Sequence, residues 1–197
     1  MKHNKNTQKN DSRLDRRGFL KSSSAIAGSA VALGSLSIER GAFAQSSDTI
    51  KVALIGCGGR GSGAANQALS TAGDVKLVAM ADAFKDRMDS SLNGLQKKHG
   101  LKADVKDENK FIGFDAYKDA ISMADMVILA TPPGFRPIHF AEAIKQGKNV
   151  FMEKPVAVDG KGVRQVLAAA REAKKKNLKV GVGLQRHHQL GYQEVIK

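Results

Sequence analysis

The chain has 197 residues and a formal net charge of +13, with 42% hydrophobic residues, 26% charged residues and 20 glycines. That composition suits a globular α/β protein of one domain or one and a half, and excludes a low-complexity or disordered chain. The single cysteine, Cys57, excludes an intramolecular disulfide, and the lack of any run of about 18 strongly apolar residues excludes a stable membrane span.

The charge divides unevenly. Residues 1–44 carry 8 Lys/Arg against 3 Asp/Glu, and much of the remaining excess falls in one helical stretch without interleaved aromatics. This reads as solvated surface, and no nucleic-acid partner is expected.

Residues 1–44 have the three parts of a cleavable signal: a polar, basic stretch at 1–21, a weakly apolar run at 22–38, and "AFA" at Ala42–Ala44 before Gln45. Small residues at Ala42 and Ala44 place the cut after Ala44. The pair Arg16–Arg17 in "DRRGFLK" resembles the twin-arginine signal, Ser/Thr-Arg-Arg-x-Phe-Leu-Lys, with Asp15 departing at the first position. Gly28, Gly34 and several serines dilute the apolar run, and Arg40 adds a charge near the cut; both disfavour the general secretory route. A disordered basic tail is the plainer alternative. The resemblance implies the twin-arginine export machinery as a partner, a periplasmic or otherwise exported location, and passage across the membrane already folded around a cofactor.

After a short linker at 45–48, residues 49–197 alternate strands and helices. "TIKVALIG", "VKLVAMAD", "KFIGF", "DMVILATPP", "KNVFMEKP" and "LKVGVGL" read as six strands, mostly too continuously apolar for a sheet covered on one face. Helices are expected at Arg60–Thr71, Phe84–Lys98, Tyr117–Met123, Pro137–Gln146 and Gly160–Asn177. The alternation predicts an α/β fold of Rossmann type, a doubly wound parallel sheet. Asp159 is placed to cap the last helix, and Lys174–Lys176 lie at its carboxyl end, where the dipole favours cations.

"GCGGRG", Gly56–Gly61, follows the first strand directly and opens a helix, the context that gives G-x-G-x-x-G its meaning. Gly56 suits the tight turn, Gly58 and Gly59 allow close approach of a pyrophosphate, and Gly61 allows strand and helix to pack closely. Arg60 is placed to reach a phosphate oxygen. Asp82 ends the second strand, 26 residues after Gly56, where a carboxylate accepts from ribose hydroxyls and repels a 2′-phosphate; NAD is therefore expected over NADP. Asp82 also stands where a helix cap belongs, and the two roles are compatible. Cys57 reads simply as a small residue in the loop. The fourth strand ends in "ATPP" and the fifth in "MEKP", at the carboxyl edge where open α/β sheets bind ligands. On sequence alone the Glu153–Lys154 pair also reads as an exposed salt bridge.

Together "IGCGGRG", "ATPP", "FRPIHFAEAIKQGKNVFMEKP" and "GVGLQRHH" resemble the Gfo/Idh/MocA oxidoreductases over residues 49–197. The resemblance implies that Lys154 is catalytic beside the nicotinamide, that Glu153 lines the cofactor site, and that Thr131, Pro132 and Pro133 contact the nicotinamide half. It matches His139 to a histidine often found before the fifth strand, where positioning and catalysis are equally open. Arg186 and the adjacent His187–His188 are expected on the substrate side. Adjacent histidines on an extended segment point apart, so no metal site is expected. Family members continue into a second, α+β substrate domain, so the chain is expected to be the amino-terminal part of a longer protein, oligomeric when full length and inactive without that domain.

Three functions follow as alternatives: an oxidoreductase acting on a sugar or polyol hydroxyl through a tightly held cofactor, with Lys154 shifted by burial towards proton transfer; a glycosidase working by transient oxidation and elimination; and a non-catalytic sugar- or nucleotide-binding protein.

Overall fold

The computed structural model describes residues 49–196. The leader with its cut after Ala44, and the linker up to Asp48, lie outside the described residues. The elements run β1 (Ile50–Ile55), α1 (Gly59–Leu69), β2 (Val75–Asp82), α2 (Lys85–His99), β3 (Lys110–Ile112), α3 (Tyr117–Ser122), β4 (Met126–Leu129), α4 (Arg136–Lys145), β5 (Asn149–Met152), α5 (Gly160–Lys175), β6 (Val180–Val182), α6 (Gln185–His188) and α7 (Leu190–Ile196). Two short 3-10 turns, Gly100–Ala103 and Asp107–Asn109, lead into β3.

All six strands are parallel, in the order β3-β2-β1-β4-β5-β6. This is the Rossmann-type α/β sheet expected from the alternation. Side chains alternate across β1: Val52 and Leu54 pack with α1 and α2, while Ala53 and Ile55 pack with α3, α4 and α5. Both faces of the strand are thereby buried, which is why its sequence is continuously apolar. The β1–β2 register slips between Val52 and Ala53, leaving Val78 as the extra residue, and its carbonyl accepts from Asn109 Nδ2 at 3.1 Å. Asp159 caps α5, its Oδ1 accepting from Gly162 N at 2.6 Å.

One local expectation is corrected. The sequence predicts an extended segment after β6, but Gln185–His188 forms a single helical turn followed by α7. Neighbours there are 100° apart rather than opposite, so residues three apart share a side.

Because the sheet is parallel, the carboxyl ends of all strands lie at one edge. The strand order reverses between β1 and β4, and the loops after them part at that point. Everything described next is built at this edge.

Candidate functional site

A cleft of about 1170 Å³ opens at the carboxyl edge of the sheet, slightly above the roughly 300–1,000 Å³ typical of small-molecule sites. It brings together Gly56, Gly58, Gly59, Arg60, Gly61, Asp82, Thr131, Pro132, Pro133, His139, Glu153 and Lys154. Residues spread over a hundred positions of sequence thus share one wall.

The glycine loop is shaped by exclusion. Gly56 has φ +94°, and a Cβ there would lie 2.6 Å from Thr131 N and 2.8 Å from the Ala130 carbonyl carbon. The turn after β1 therefore presses directly on the end of β4, and only glycine fits. A Cβ on Gly61 would lie 1.9 Å from Gly56 O, so α1 abuts the strand it follows. Gly59 has nothing within 4 Å of such an atom, and Gly58 only Arg87 Nη1 at 4.0 Å. On these two the space is open, and no side chain caps the amino end of α1. The first N–H groups of the helix are left for a ligand, with the dipole favouring an anion.

Asp82 ties this loop to β2. Its Oδ2 accepts from Cys57 N at 2.6 Å and its Oδ1 from Phe84 N at 2.9 Å. Each carboxylate oxygen keeps a second lone-pair direction for a hydroxyl. Asp82 does not cap α2 as expected: the N-cap is Phe84, with no side-chain cap, and Asp82 holds the N–H of that residue just before the helix. Cys57 is buried, and burial together with the neighbouring Asp82 charge pushes its thiol pKa up, which keeps it protonated and unreactive.

Across the cleft the geometry is ionic. Glu153 is 5% exposed at the end of β5. Arg60 Nη2, from the first turn of α1, stands 2.6 Å from its Oε1, yet without an aligned N–H, so that oxygen is buried with no hydrogen-bond donor among the described residues. Arg60 is therefore turned towards a carboxylate rather than waiting free for a phosphate. Gly183, after β6, makes the space: a Cβ there would lie 2.8 Å from both Glu153 oxygens. Lys154 is exposed beside the cleft and has no ion-pair partner among the described residues. The burial expected for it is not supplied by these residues, and the Glu153–Lys154 salt bridge does not form; Glu153 faces Arg60 instead.

The β4 loop is held from below by α4. His139 is 5% exposed, its Nδ1 is 3.1 Å from Thr131 Oγ1, and its ring lies 4.2 Å from the Tyr117 ring centroid. Burial and the nearby Arg136 charge lower its pKa to about 4, so it is neutral at neutral pH. The structure places it as a support for Thr131 rather than on an open substrate face. Arg186 and His187 do not line the cleft; Gln185 and His188, three apart on the α6 turn, do. Arg186 instead lies over the Tyr192 ring at 5.2 Å. The helical turn is why His188 reaches the cleft and its two preceding neighbours do not. Among the described residues no cluster of three or more His, Cys, Asp or Glu is placed to hold a metal.

Several contributors were not singled out from sequence. Phe114 and Phe135 stack at 5.9 Å on the cleft wall, and Arg136 is buried beneath it. Gly183 and Arg136 lie inside the quoted stretches "GVGLQRHH" and "FRPIHFAEAIKQGKNVFMEKP" but have no role of their own assigned there.

The open faces of Gly58 and Gly59, the uncapped end of α1 and Asp82 together fit a dinucleotide lying across the strand-order reversal. Residues 50–183 match the model of the Gfo/Idh/MocA family, an oxidoreductase family with an NAD-binding Rossmann fold. The chain belongs to this family. Among curated relatives it is 31% identical over 148 residues to an inositol 2-dehydrogenase of Ralstonia nicotianae, covering 73% of this chain and 39% of that protein. It is 28% identical over 137 residues to a glycosyl hydrolase family 109 protein of Shewanella baltica, covering 68% and 29%. The chain thus spans less than half the length of these relatives. Among solved structures, the scyllo-inositol dehydrogenase of Lactobacillus casei with bound NAD(H) and scyllo-inositol shares the fold, with a TM-score of 0.58 at 23% identity over 75% of this chain and 39% of that chain.

Proposed function

We propose that this family member is an exported, NAD-dependent oxidoreductase acting on a hydroxyl of a sugar, polyol or glycoside. The observation that carries the reading is the arrangement at the cleft: a glycine loop and Asp82 suited to a dinucleotide, together with an exposed Lys154 that has no ion-pair partner among the described residues. Bound NAD supplies the hydride acceptor. Lys154 Nζ, as the neutral amine, would take the proton of the substrate's hydroxyl while the hydride leaves the hydroxyl-bearing carbon for the cofactor and that oxygen becomes a carbonyl. Thr131, braced by His139, lines the same cleft. Because Lys154 is open to solvent here, its desolvation must come from the substrate or from further protein packed over the cleft. The inositol dehydrogenases among the relatives support a polyol or sugar as substrate.

The three-part leader with Arg16–Arg17 supports export through the twin-arginine machinery, with a tightly held cofactor that completes its redox cycle on one or two substrates without leaving. The similarity to a glycosyl hydrolase family 109 protein supports a second reading, in which transient oxidation of a ring carbon leads to glycoside cleavage without net NADH.

The first test is to purify the mature protein from the periplasm, denature it and identify any released nucleotide by mass spectrometry. About one NAD(H) per chain is expected for a captive cofactor; an empty protein that also fails to bind added NAD overturns the proposal. Lys154→Ala is expected to lower turnover by roughly 10²–10⁴-fold while the nucleotide is retained. Sugar release without NADH accumulation selects the glycosidase, and unchanged function in the alanine variant selects a non-catalytic binding protein.

A further inference from the structure

The loop after β4 (131–135) and the loop after β5 (153–159) are joined by one side chain. Arg136, the first residue of α4, is 2% exposed. Its Nη1 donates to the carbonyl of Pro155, the residue that follows Lys154, and its Nη2 to the carbonyl of Thr131. One turn further along the same helix, His139 meets the hydroxyl of Thr131 at 3.1 Å. Positions three apart lie on one helix face, so α4 grips Thr131 at two points and, through Arg136, reaches the lysine loop as well.

Stability alone does not account for this residue. The amino end of a helix carries the positive end of its dipole and disfavours a cation. Removing a guanidinium from water is costly, and an apolar side chain of similar size is often at least as stable in such a place. Burial pulls its pKa down while the Glu153 charge pulls it back up, and its Nε has no hydrogen-bond partner among the described residues. What a guanidinium alone supplies is a rigid planar fork that donates to two acceptors at a set separation. Here both acceptors are main-chain carbonyls, one on each wall of the cleft.

We propose that Arg136 is the positioning residue of the site, setting the separation between Thr131–Pro133 and Lys154–Pro155 and thereby the placement of the Lys154 ammonium at the cleft. The spacing of the loops is a property of this chain's own residues; only the consequence for Lys154 rests on the function proposed above.

The test compares wild type with Arg136→Lys, which keeps the cation but not the fork, by amide hydrogen exchange on the whole protein. Exchange at Phe135, whose N–H donates to Pro132 O, and at Glu153, whose N–H donates to Leu129 O, is expected to rise roughly 10- to 100-fold, the loss of a charge-assisted hydrogen bond to each loop, while Ala53–Ile55 in β1 stays unchanged. NADH binding, followed by its fluorescence, should weaken, and kcat should fall by a larger factor than KM rises. Arg136→Gln, a shorter neutral side chain with a planar amide, serves if the lysine variant does not fold. Wild-type exchange at both loops in a folded variant overturns the proposal. So does a rise shared equally by β1, which would make Arg136 a general stabiliser. Failure of the wild-type protein to bind NADH would count against the proposed function alone, because the exchange comparison does not depend on it.

Discussion

Over β1 and β2 the cleft is shaped by atoms the backbone lacks, whereas over β4 and β5 it is held by charged and polar side chains. At Gly56 and Gly61 a methyl group would collide with main-chain atoms of β4 or of the loop itself, and those atoms have nowhere to go. At Glu153, Arg60, Arg136 and His139 the shape depends on a network in which each group is anchored by a partner from another element. A steric arrangement fails all at once. A side-chain network fails one contact at a time, with consequences graded by burial.

The largest effect should come from Gly61→Ala, whose Cβ would stand 1.9 Å from Gly56 O. We expect a loss of roughly 3 kcal/mol or more in urea unfolding, while Gly59→Ala, with nothing within 4 Å of its added atom, should change stability by less than about 0.5 kcal/mol. Equal tolerance at both positions would erase the steric character of this half.

A smaller effect tests the other half through pH. Folded His139 titrates near 4, against an ordinary value near 6.5 in the unfolded chain. Between these values the unfolded state binds a proton that the folded state does not, so stability is fully present above about pH 6.5 and falls as pH drops towards 4. The loss should approach about 2–3 kcal/mol for so buried a group. His139→Gln should flatten that part of the stability–pH curve; an unchanged slope would assign it to other groups.

A smaller loss than at His139 is expected at Gly183→Ala. The added methyl would meet the Glu153 carboxylate at 2.8 Å, and a side-chain end can shift where a backbone cannot. A cost of about 1 kcal/mol in unfolding is expected, together with a changed Arg60–Glu153 contact visible by crystallography. A loss as large as that of Gly61→Ala would show the ionic wall to be as rigid as the glycine turn.

The two halves also differed in how far they could be read in advance. Gly56, Gly58, Gly61 and Asp82 form a local pattern: a strand, a turn and a helix within a dozen residues, then a carboxylate at the next strand end. Each has its role for a reason contained in its own segment, and the structure sets them in one cleft. Thr131–Pro133 and Glu153–Lys154 could be placed at the same edge because parallel strands end there together. Of the residues that the resemblance sets on the substrate side after β6, His188 lines the cleft and Arg186 and His187 do not, because one helical turn turns His188 and Gln185 to the same side.

The alternation of continuous apolar strands with amphipathic helices was enough to determine the six-stranded parallel sheet, its covered faces and the edge that carries the site, because those follow from local periodicity and from the burial that periodicity demands. The partners of the charged groups were decided only by the tertiary structure. Glu153 meets Arg60 from ninety-three positions earlier and Gly183 from thirty later, and Arg136 ties together carbonyls on two separate loops. Such contacts leave no periodic trace, since a buried charge is satisfied by whichever group the folded chain brings within reach.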